Sequence, residues 1–432
     1  MDVMKRRSSA DESIRQTVEA RLQTYARFGV DLGLARIEKL LADLGPQQVV
    51  PIIHVAGTNG KGSVCAYLSA VLTAAGYRTG RYTSPHLVDW TERICIDQMP
   101  ISWANLQESL AAVEQAIDPD SPTPTQFEVF TAAAWQYFAA QQVEVAVVEV
   151  GLGGRLDATN VCKQPLATVI VSIGRDHWQR LGDTLAAIAT EKAGIFKPGV
   201  QAIAGPLPAE AQAVVSARAA ELQAPLTWVS PAEKVAGAPR ESMLQYDGIQ
   251  YPQTLLGDHQ RVNSACAIAT LQVLRAKGWR ISTEAITRGM AQVRWPGRLQ
   301  RSQWQGHPLL IDGAHNVEAA RSLRTYLDQA CPDQPITWLM GMLQTKDHQG
   351  VFTALLRDGD RLHLVPVPGH LSAEPAVLGA IAQQTCTLAL TYTHPDLAAG
   401  LTAATQLANS AGPVVLCGSL YLIGHFYEYY EP

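Results

Sequence analysis

The chain has 432 residues, 47% of them hydrophobic and 17% charged, with a net charge of −5 and an isoelectric point near 6.1. That length accommodates two or three domains at roughly 100–200 residues each, and the acidic balance argues against bulk nucleic-acid binding, which leaves a basic footprint. The seven cysteines (Cys65, Cys95, Cys162, Cys266, Cys331, Cys386 and Cys417) form no C-x-x-C pair and read as reduced, mostly buried thiols.

The N-terminal "MDVMKRRSSADES" has basic residues but no apolar stretch behind them, so it does not read as a signal peptide. No apolar run approaches the roughly 18–20 residues of a membrane span. The expectation is a soluble cytoplasmic protein with no membrane and no nucleic-acid partner. "VVPIIHVAG" (49–57) reads as a buried strand, and "SVCAYLSAVLTAAG" after it as a helix with Val64, Leu68, Val71 and Ala75 on one face and Gly76 as its stop. "VEVAVVEV" (143–150) and "ATVIVSIG" (167–174) are near-continuous β-branched runs, as in parallel strands covered on both faces. "QAIAG" (201–205) is followed by another helical stretch. Such alternation predicts an α/β fold with a doubly wound parallel sheet.

Near residues 240–260 the periodicity weakens, and "ESMLQYDGIQYPQTLLGDHQ" suggests a hairpin or small sheet edge. Two helical patterns follow. "RWPGRLQ" (294–300) marks the boundary between a domain at 1–296 and a smaller Rossmann-like α/β domain at 297–432. There strand and helix patterns alternate again from "PLLIDGAHN" to "PVVLCGSLYLIG".

The strongest chemical signal is "HVAGTNGKGS" (54–63), a strand end leading through glycines into a helix. Backbone N–H groups and the helix dipole bind phosphate in that setting. It departs from the usual G-x-x-x-x-G-K-[ST] spacing, because Val55 stands where the first glycine belongs and the hydroxyl arrives one residue late, at Ser63. Lys61 is placed to meet the β- and γ-phosphates, and Ser63 is a hard oxygen ligand suited to Mg²⁺. "EVGLGGRLDATN" (149–160) tempts a dinucleotide reading, but Leu156 occupies the position its third glycine would need. Glu149, at a strand end, suits either Mg²⁺ or a salt bridge. "SIGRDHWQRLG" brings Asp176 and His177 to a third strand end, in a metal or phosphate role or a structural one. Lys192 follows on a helix, where a surface lysine is the default, and Lys197 reads as surface. In the second domain Asp312 and His315 of "DGAHN" and Ser419 of "CGSLYLIG" lie at strand-to-helix turns, and Arg298 could reach phosphate across an interdomain cleft.

Together "HVAGTNGKGS", "YTSPHL", "EVGLGGRLDATN", "DH", "EKAGI", "DGAHN" and "GSLYLIG", in this order, resemble the folylpolyglutamate synthases, Mur ligase-type ATP-dependent amide-forming enzymes. The resemblance runs from about residue 20 to about 425, and the late hydroxyl at Ser63 belongs to its folate branch. It implies that Gly57, Thr58, Asn59, Gly60, Lys61, Gly62 and Ser63 bind ATP, with Asn263 at adenine and Arg298 and Asp312 as further nucleotide contacts. It implies two Mg²⁺ ions held by Ser63, Glu149, His177 and an N6-carboxylated Lys192. Lys61, His177 and Lys192 are then the catalytic set. "TSPHL", with Ser84, Pro85 and His86, matches the folate-side loop. Thr125, Phe127, Asp157 and Ala158 match pterin-side positions of bifunctional bacterial members, which also make dihydrofolate. His315 and Ser419 match the glutamate side. Val317 departs from the proline many members carry there, which changes only the first helical turn. The implied substrates are dihydropteroate, tetrahydrofolates and L-glutamate, joined through an acyl phosphate by a monomer. Alternatives are folylpolyglutamate synthase activity alone, another Mur-type acid–amino acid ligase, or a nucleotide-binding module without ligase activity.

Overall fold

In the computed structural model the described residues are 9–26, 31–45, 50–236, 243–408 and 412–430. The first part of the N-terminal leader, the first residue of the strand pattern at 49 and the start of the hairpin pattern at 241–242 lie outside them. Two compact units emerge: Met1–Ile173, His177–Pro252 and Val262–Gln292 form the first, and Gly174–Asp176, Gln253–Arg261 and Val293–Pro432 the second.

The first unit contains β1 (Ile52–Ala56), β2 (Thr79–Tyr82), β3 (Ile94–Ile96), β4 (Met99–Pro100), β5 (Val145–Glu149), β6 (Ala167–Ile170), β7 (Ala202–Ala204) and β8 (Leu226–Trp228). They form one sheet in the order β4-β3-β2-β5-β1-β6-β7-β8. Pairing is parallel from β2 to β8, with β1 between β5 and β6 (Val55 opposite Glu149, Ala56 opposite Ile170). Every residue of β1, β5 and β6 is buried, as their apolar runs predict. The edge beyond β2 is antiparallel. β3 and β4 are joined by Asp97 and Gln98, both left-handed (φ 50° and 69°), as a two-residue hairpin loop requires. Glycine or asparagine usually announces such a loop, so Asp-Gln hid it from the sequence reading.

Four helices unread in the sequence complete one side of this core: Ser9–Ala26, Ala35–Asp43, Trp103–Gln115 and Gln126–Ala140. Val18, Leu22, Ile37 and Leu40 pack with Leu106, Leu110, Phe130 and Val148 in one cluster. Ser102 and Thr125 cap the last two helices by accepting the Asn105 and Glu128 amides. The weakly periodic region forms a separate sheet in the order β11-β10-β9, of β9 (Glu233–Lys234), β10 (Met243–Tyr246) and β11 (Ile249–Pro252). The anticipated hairpin is β10–β11.

The second unit holds β12 (Gln300–Trp304), β13 (His307–Ile311), β14 (Thr337–Met340), β15 (Arg361–Leu364), β16 (Leu390–Thr393) and β17 (Val414–Cys417), in the order β12-β13-β17-β14-β15-β16. All pairs are parallel except the β12–β13 hairpin. The buried Asp360 carboxylate accepts from Arg324, Trp338 Nε1 and the Ile336 and Arg357 amides, locking β14 to the turn before β15. Among the described residues no helix is long and apolar enough to cross a membrane.

The helix Lys61–Ala74 is apolar and buried on almost every side from Ser63 to Leu72. The helix Thr283–Gln292 lies against it through Gly289, where a Cβ would stand 2.5 Å from Val71 Cα. Gly289→Val should therefore force the two helices apart and lower stability by about 1–3 kcal/mol, read as a reduced urea midpoint.

Candidate active site

Parallel sheets bind ligands beyond the carboxyl ends of their strands, and here β2, β5, β1 and β6 end side by side. The chain leaves β1 through Gly57 and turns at Gly60, which has φ 84° and stands at the N-cap of the helix Lys61–Ala74. A Cβ on Gly60 would overlap the Asn263 amide oxygen and lie 2.8 Å from Val171 Cγ1. The loop is further tied to the end of β6. Thr58 N donates to Ser172 O (2.8 Å), Asn59 N donates to Ser172 Oγ (2.9 Å), and Ser172 Oγ donates to Asn59 O (2.9 Å). The first intrahelical bond runs from Val64 N to Gly60 O (3.0 Å). Lys61, Gly62 and Ser63 thus make the first turn of a helix, whose N-terminus suits an anion.

Three charged side chains converge on this turn. Lys61 Nζ lies 3.3 Å from Thr58 O and 3.8 Å from Glu149 Oε1. Glu149 is only 4% exposed, and its Oε2 accepts from Ser84 N at 3.3 Å. Lys192, 5% exposed, donates from Nζ to Gly57 O at 3.0 Å. The surface default for Lys192 is therefore wrong, and so is the surface reading of Lys197, which is half-buried with Nζ 3.4 Å from Asn160 O. Desolvation is the main cause of the lowered Lys197 pKa. Ser63 is buried in the first helical turn. His177 is exposed and left-handed (φ 51°) at the start of the helix Trp178–Leu181. Among the described residues no three His, Cys, Asp or Glu side chains gather for a metal ion.

The positions matched to the acid substrate in the sequence are held by separate local contacts. Ser84, Pro85 and His86 follow β2. His86 Nδ1 accepts from Arg93 Nε (2.8 Å), and its ring centroid is 4.8 Å from that of Trp90, which the Arg93 guanidinium covers at 4.2 Å. The part-buried Glu92 carboxylate accepts from Leu87, Val88 and Asp89 amides at 2.8, 2.8 and 2.6 Å. Sequence reasoning missed Trp90, Glu92 and Arg93; the signal was the acid three residues after Asp89, half of a capping box. Thr125 is buried in a second capping box with Glu128, and the Glu128 carboxylate also accepts from Arg36 Nε (3.1 and 3.2 Å). Phe127 covers Gly151, where a Cβ would meet the ring at 2.5 Å. Asp157 begins the short 3₁₀ turn Ala158–Val161 and accepts from Thr159 N (3.0 Å) and Leu152 N (2.8 Å). Burial raises its pKa, opposed by these hydrogen bonds. Ala158 is buried beside it.

In the second unit the neighbouring strands β13 and β17 present "DGAHN" and "GSLYLIG" together, with Gly418 N donating to Ala314 O (2.9 Å). Asp312 accepts from Leu299 N and Ala314 N, both at 2.8 Å. Its pKa is raised by burial, against the pull of Arg298. A Cβ on Gly313 would lie 2.5 Å from Arg298 Nη1, so Arg298 and Asp312 share one turn. Ser419 caps the helix Leu420–Tyr429 through Tyr421 N (3.2 Å). His315 Nδ1 is 2.7 Å from Gly313 O and its Nε2 3.6 Å from Asp176 Oδ2. Asp176 also accepts from Asn316 Nδ2 (3.1 Å) and Lys346 Nζ (2.9 Å). Lys346, in the loop after β14, is the other residue the sequence reading passed over.

Residues 55–271 match the family described as Mur ligase middle domain, and residues 298–429 match the dihydrofolate synthetase C-terminal domain. Dihydrofolate synthase/folylpolyglutamate synthase of Bacillus subtilis (strain 168) is 36% identical over 370 residues, covering 82% of this chain and 85% of the relative. The chain belongs to the dihydrofolate synthase/folylpolyglutamate synthase family. Two solved members are similar throughout. Mycobacterium tuberculosis folylpolyglutamate synthase, complexed with ADP and AMPPCP, has a TM-score of 0.86 at 32% identity, over 96% of this chain and 97% of that one. E. coli FolC in complex with DHPP and ADP has 0.82 at 30% identity, over 95% and 97%. The matched middle-domain segment contains the turn from β1 through Gly60 and Lys61 into the helix Lys61–Ala74.

Gly60→Ala imposes a left-handed backbone costing about 1–2 kcal/mol and pushes on Asn263. The variant should bind ATP at least about fivefold more weakly by calorimetric titration while retaining the fold by circular dichroism.

Proposed function

We propose that this protein is an ATP-dependent ligase that adds L-glutamate to dihydropteroate and to tetrahydrofolates, through an acyl phosphate. The convergence of Lys61, Glu149 and Lys192 on one preorganised phosphate loop, in a chain of this family, carries the reading. A carboxylate acylates poorly because its leaving group would be oxide. Transfer of the γ-phosphoryl from ATP to the acid's carboxylate gives ADP and an acyl phosphate. The glutamate amine then attacks the acyl carbon, and phosphate leaves as the amide forms.

Phosphoryl transfer depends chiefly on positioning and charge. Gly57, Thr58, Asn59, Gly60, Gly62 and the first-turn amides hold the triphosphate, and Lys61 places a cation on its terminal phosphates. Asn263 is assigned to adenine, and Arg298 and Asp312 to further nucleotide contacts. Thr125, Phe127, Asp157 and Ala158, with Ser84, Pro85 and His86, receive the acid, and His315 and Ser419 the glutamate. The hydroxyl of Ser63, the carboxylate of Glu149 and His177 suit Mg²⁺, with Ser84 beside Glu149 as a further oxygen donor. Bound there, Mg²⁺ neutralises charge that builds on the phosphate oxygens. A buried lysine is readily deprotonated, and its amine adds to carbon dioxide, losing a proton to give a carbamate. Lys192 is therefore proposed to be N6-carboxylated, which makes it an oxygen ligand for the second ion. The Asp157-Ala158 pair favours the bifunctional enzyme over chain extension alone. The reading carries with it a cytoplasmic monomer acting on small molecules.

Incubation with ATP, Mg²⁺, glutamate and either dihydropteroate or tetrahydrofolate should yield ADP and the glutamylated product with both acids. Product from tetrahydrofolate alone would reduce the activity to folylpolyglutamate synthesis, and product from neither would overturn the reading. Lys61→Ala should cut turnover at least about a hundredfold with the fold intact; near wild-type turnover would remove the loop from the mechanism. Intact-protein mass spectrometry in bicarbonate should show one extra carboxyl group that Lys192→Ala lacks.

A further inference from the structure

His54 opens the "HVAGTNGKGS" segment, and no role above uses it. It is fully buried in β1, where an apolar side chain would fill the space at lower cost. Its Nε2 lies 2.8 Å from Thr159 Oγ1, and Thr159 Oγ1 lies 2.5 Å from Asp157 Oδ1. Both Asp157 oxygens accept backbone amides, Oδ1 from Thr159 N and Oδ2 from Leu152 N. The carboxylate is thus the acceptor of the Thr159 hydroxyl proton. The Thr159 oxygen in turn accepts from His54, which fixes the imidazole proton on Nε2. Burial, with the Lys197 ammonium nearby, pushes the His54 pKa down to about 3, so the ring stays neutral and keeps this single donor. His54 Nδ1 has no hydrogen-bond partner. A buried, half-satisfied imidazole costs stability, so packing does not account for it.

We propose that His54 is a positioning residue for the acid substrate, acting through Thr159 on Asp157. The relay holds Asp157 against Leu152, next to the Gly151 that the Phe127 ring covers. It fixes the acid-side loop to the same strand that delivers Lys61 seven residues later. The acid and the phosphate loop are thereby referenced to one rigid element. The proposal rests on the ligase reading above.

The test is steady-state kinetics with dihydropteroate varied at saturating ATP and glutamate. His54→Phe keeps a ring and removes the donor, Thr159→Val breaks the middle link, and His54→Gln restores an amide donor. His54→Phe and Thr159→Val should each raise KM for dihydropteroate about five- to tenfold, the worth of one hydrogen bond, with kcat and KM for ATP within about twofold. The double variant should be no worse than either single one, since both cut one chain, and His54→Gln should recover most of the loss. An unchanged KM for dihydropteroate, additive effects in the double variant, no recovery in His54→Gln, or an equal rise in KM for ATP would overturn the proposal. If His54→Phe fails to fold, Thr159→Val decides alone by the same KM criterion. Wild-type protein that forms no product sinks the ligase reading itself, whereas wild-type turnover with unchanged KM in the variants sinks only the relay.

Discussion

A buried strand cannot present its own amides to a ligand, because the sheet has consumed them. The chain must therefore turn out of β1 sharply enough to start a helix with its first amides still unspent. Gly60 makes that turn in a left-handed conformation, in a gap bounded by Val171 and the Asn263 amide. Ser172 holds the preceding two residues through three hydrogen bonds. The loop is thus fixed by the chain after β6, with the Asn263 amide close against Gly60; a loop held in this way loses less ordering entropy on binding than a flexible one. Glu149 reaches the loop because β5 is the other neighbour of β1.

The loops around this centre share one device. Glu92 is part-buried and Glu128, Asp157 and Asp312 are buried, and each spends its carboxylate on backbone amides of its own turn. Such acids rigidify connections that would otherwise be mobile. They also tie distant segments: Arg36 joins the helix Ala35–Asp43 to the Thr125 cap through Glu128, although Arg36 precedes the matched middle-domain segment at 55–271. The helix Ala35–Asp43 is therefore tied to the Thr125 turn as well as to the core of the first unit.

Much of this could be read from the sequence, because parallel strands buried on both faces give unbroken apolar runs and because strand ends carry their chemistry in order. The runs at 145–149 and 167–170 and the Gly-Lys turn are of this kind. What stayed hidden has physical causes. The helices at 9–26, 35–43, 103–115 and 126–140 lacked a glycine-framed strand to flag them. The β3–β4 hairpin turns on Asp97-Gln98, which carries no turn signature. Lys192 and Lys197 look alike as letters, and only packing shows that one reaches the Gly57 carbonyl and the other the Asn160 carbonyl. Trp90, Arg93 and Lys346 act through neighbours that are distant or unremarkable in sequence.

The contact between Lys61 and Glu149, 3.8 Å apart, has a thermodynamic consequence. An anion that draws Lys61 away deprives Glu149 of a counter-charge and makes it a better seat for a cation. A cation seated on Glu149 releases Lys61 for an anion. By linkage the two effects are equal in free energy. On the proposed reading, an anion at Lys61 and a cation at Glu149 would each raise the affinity for the other.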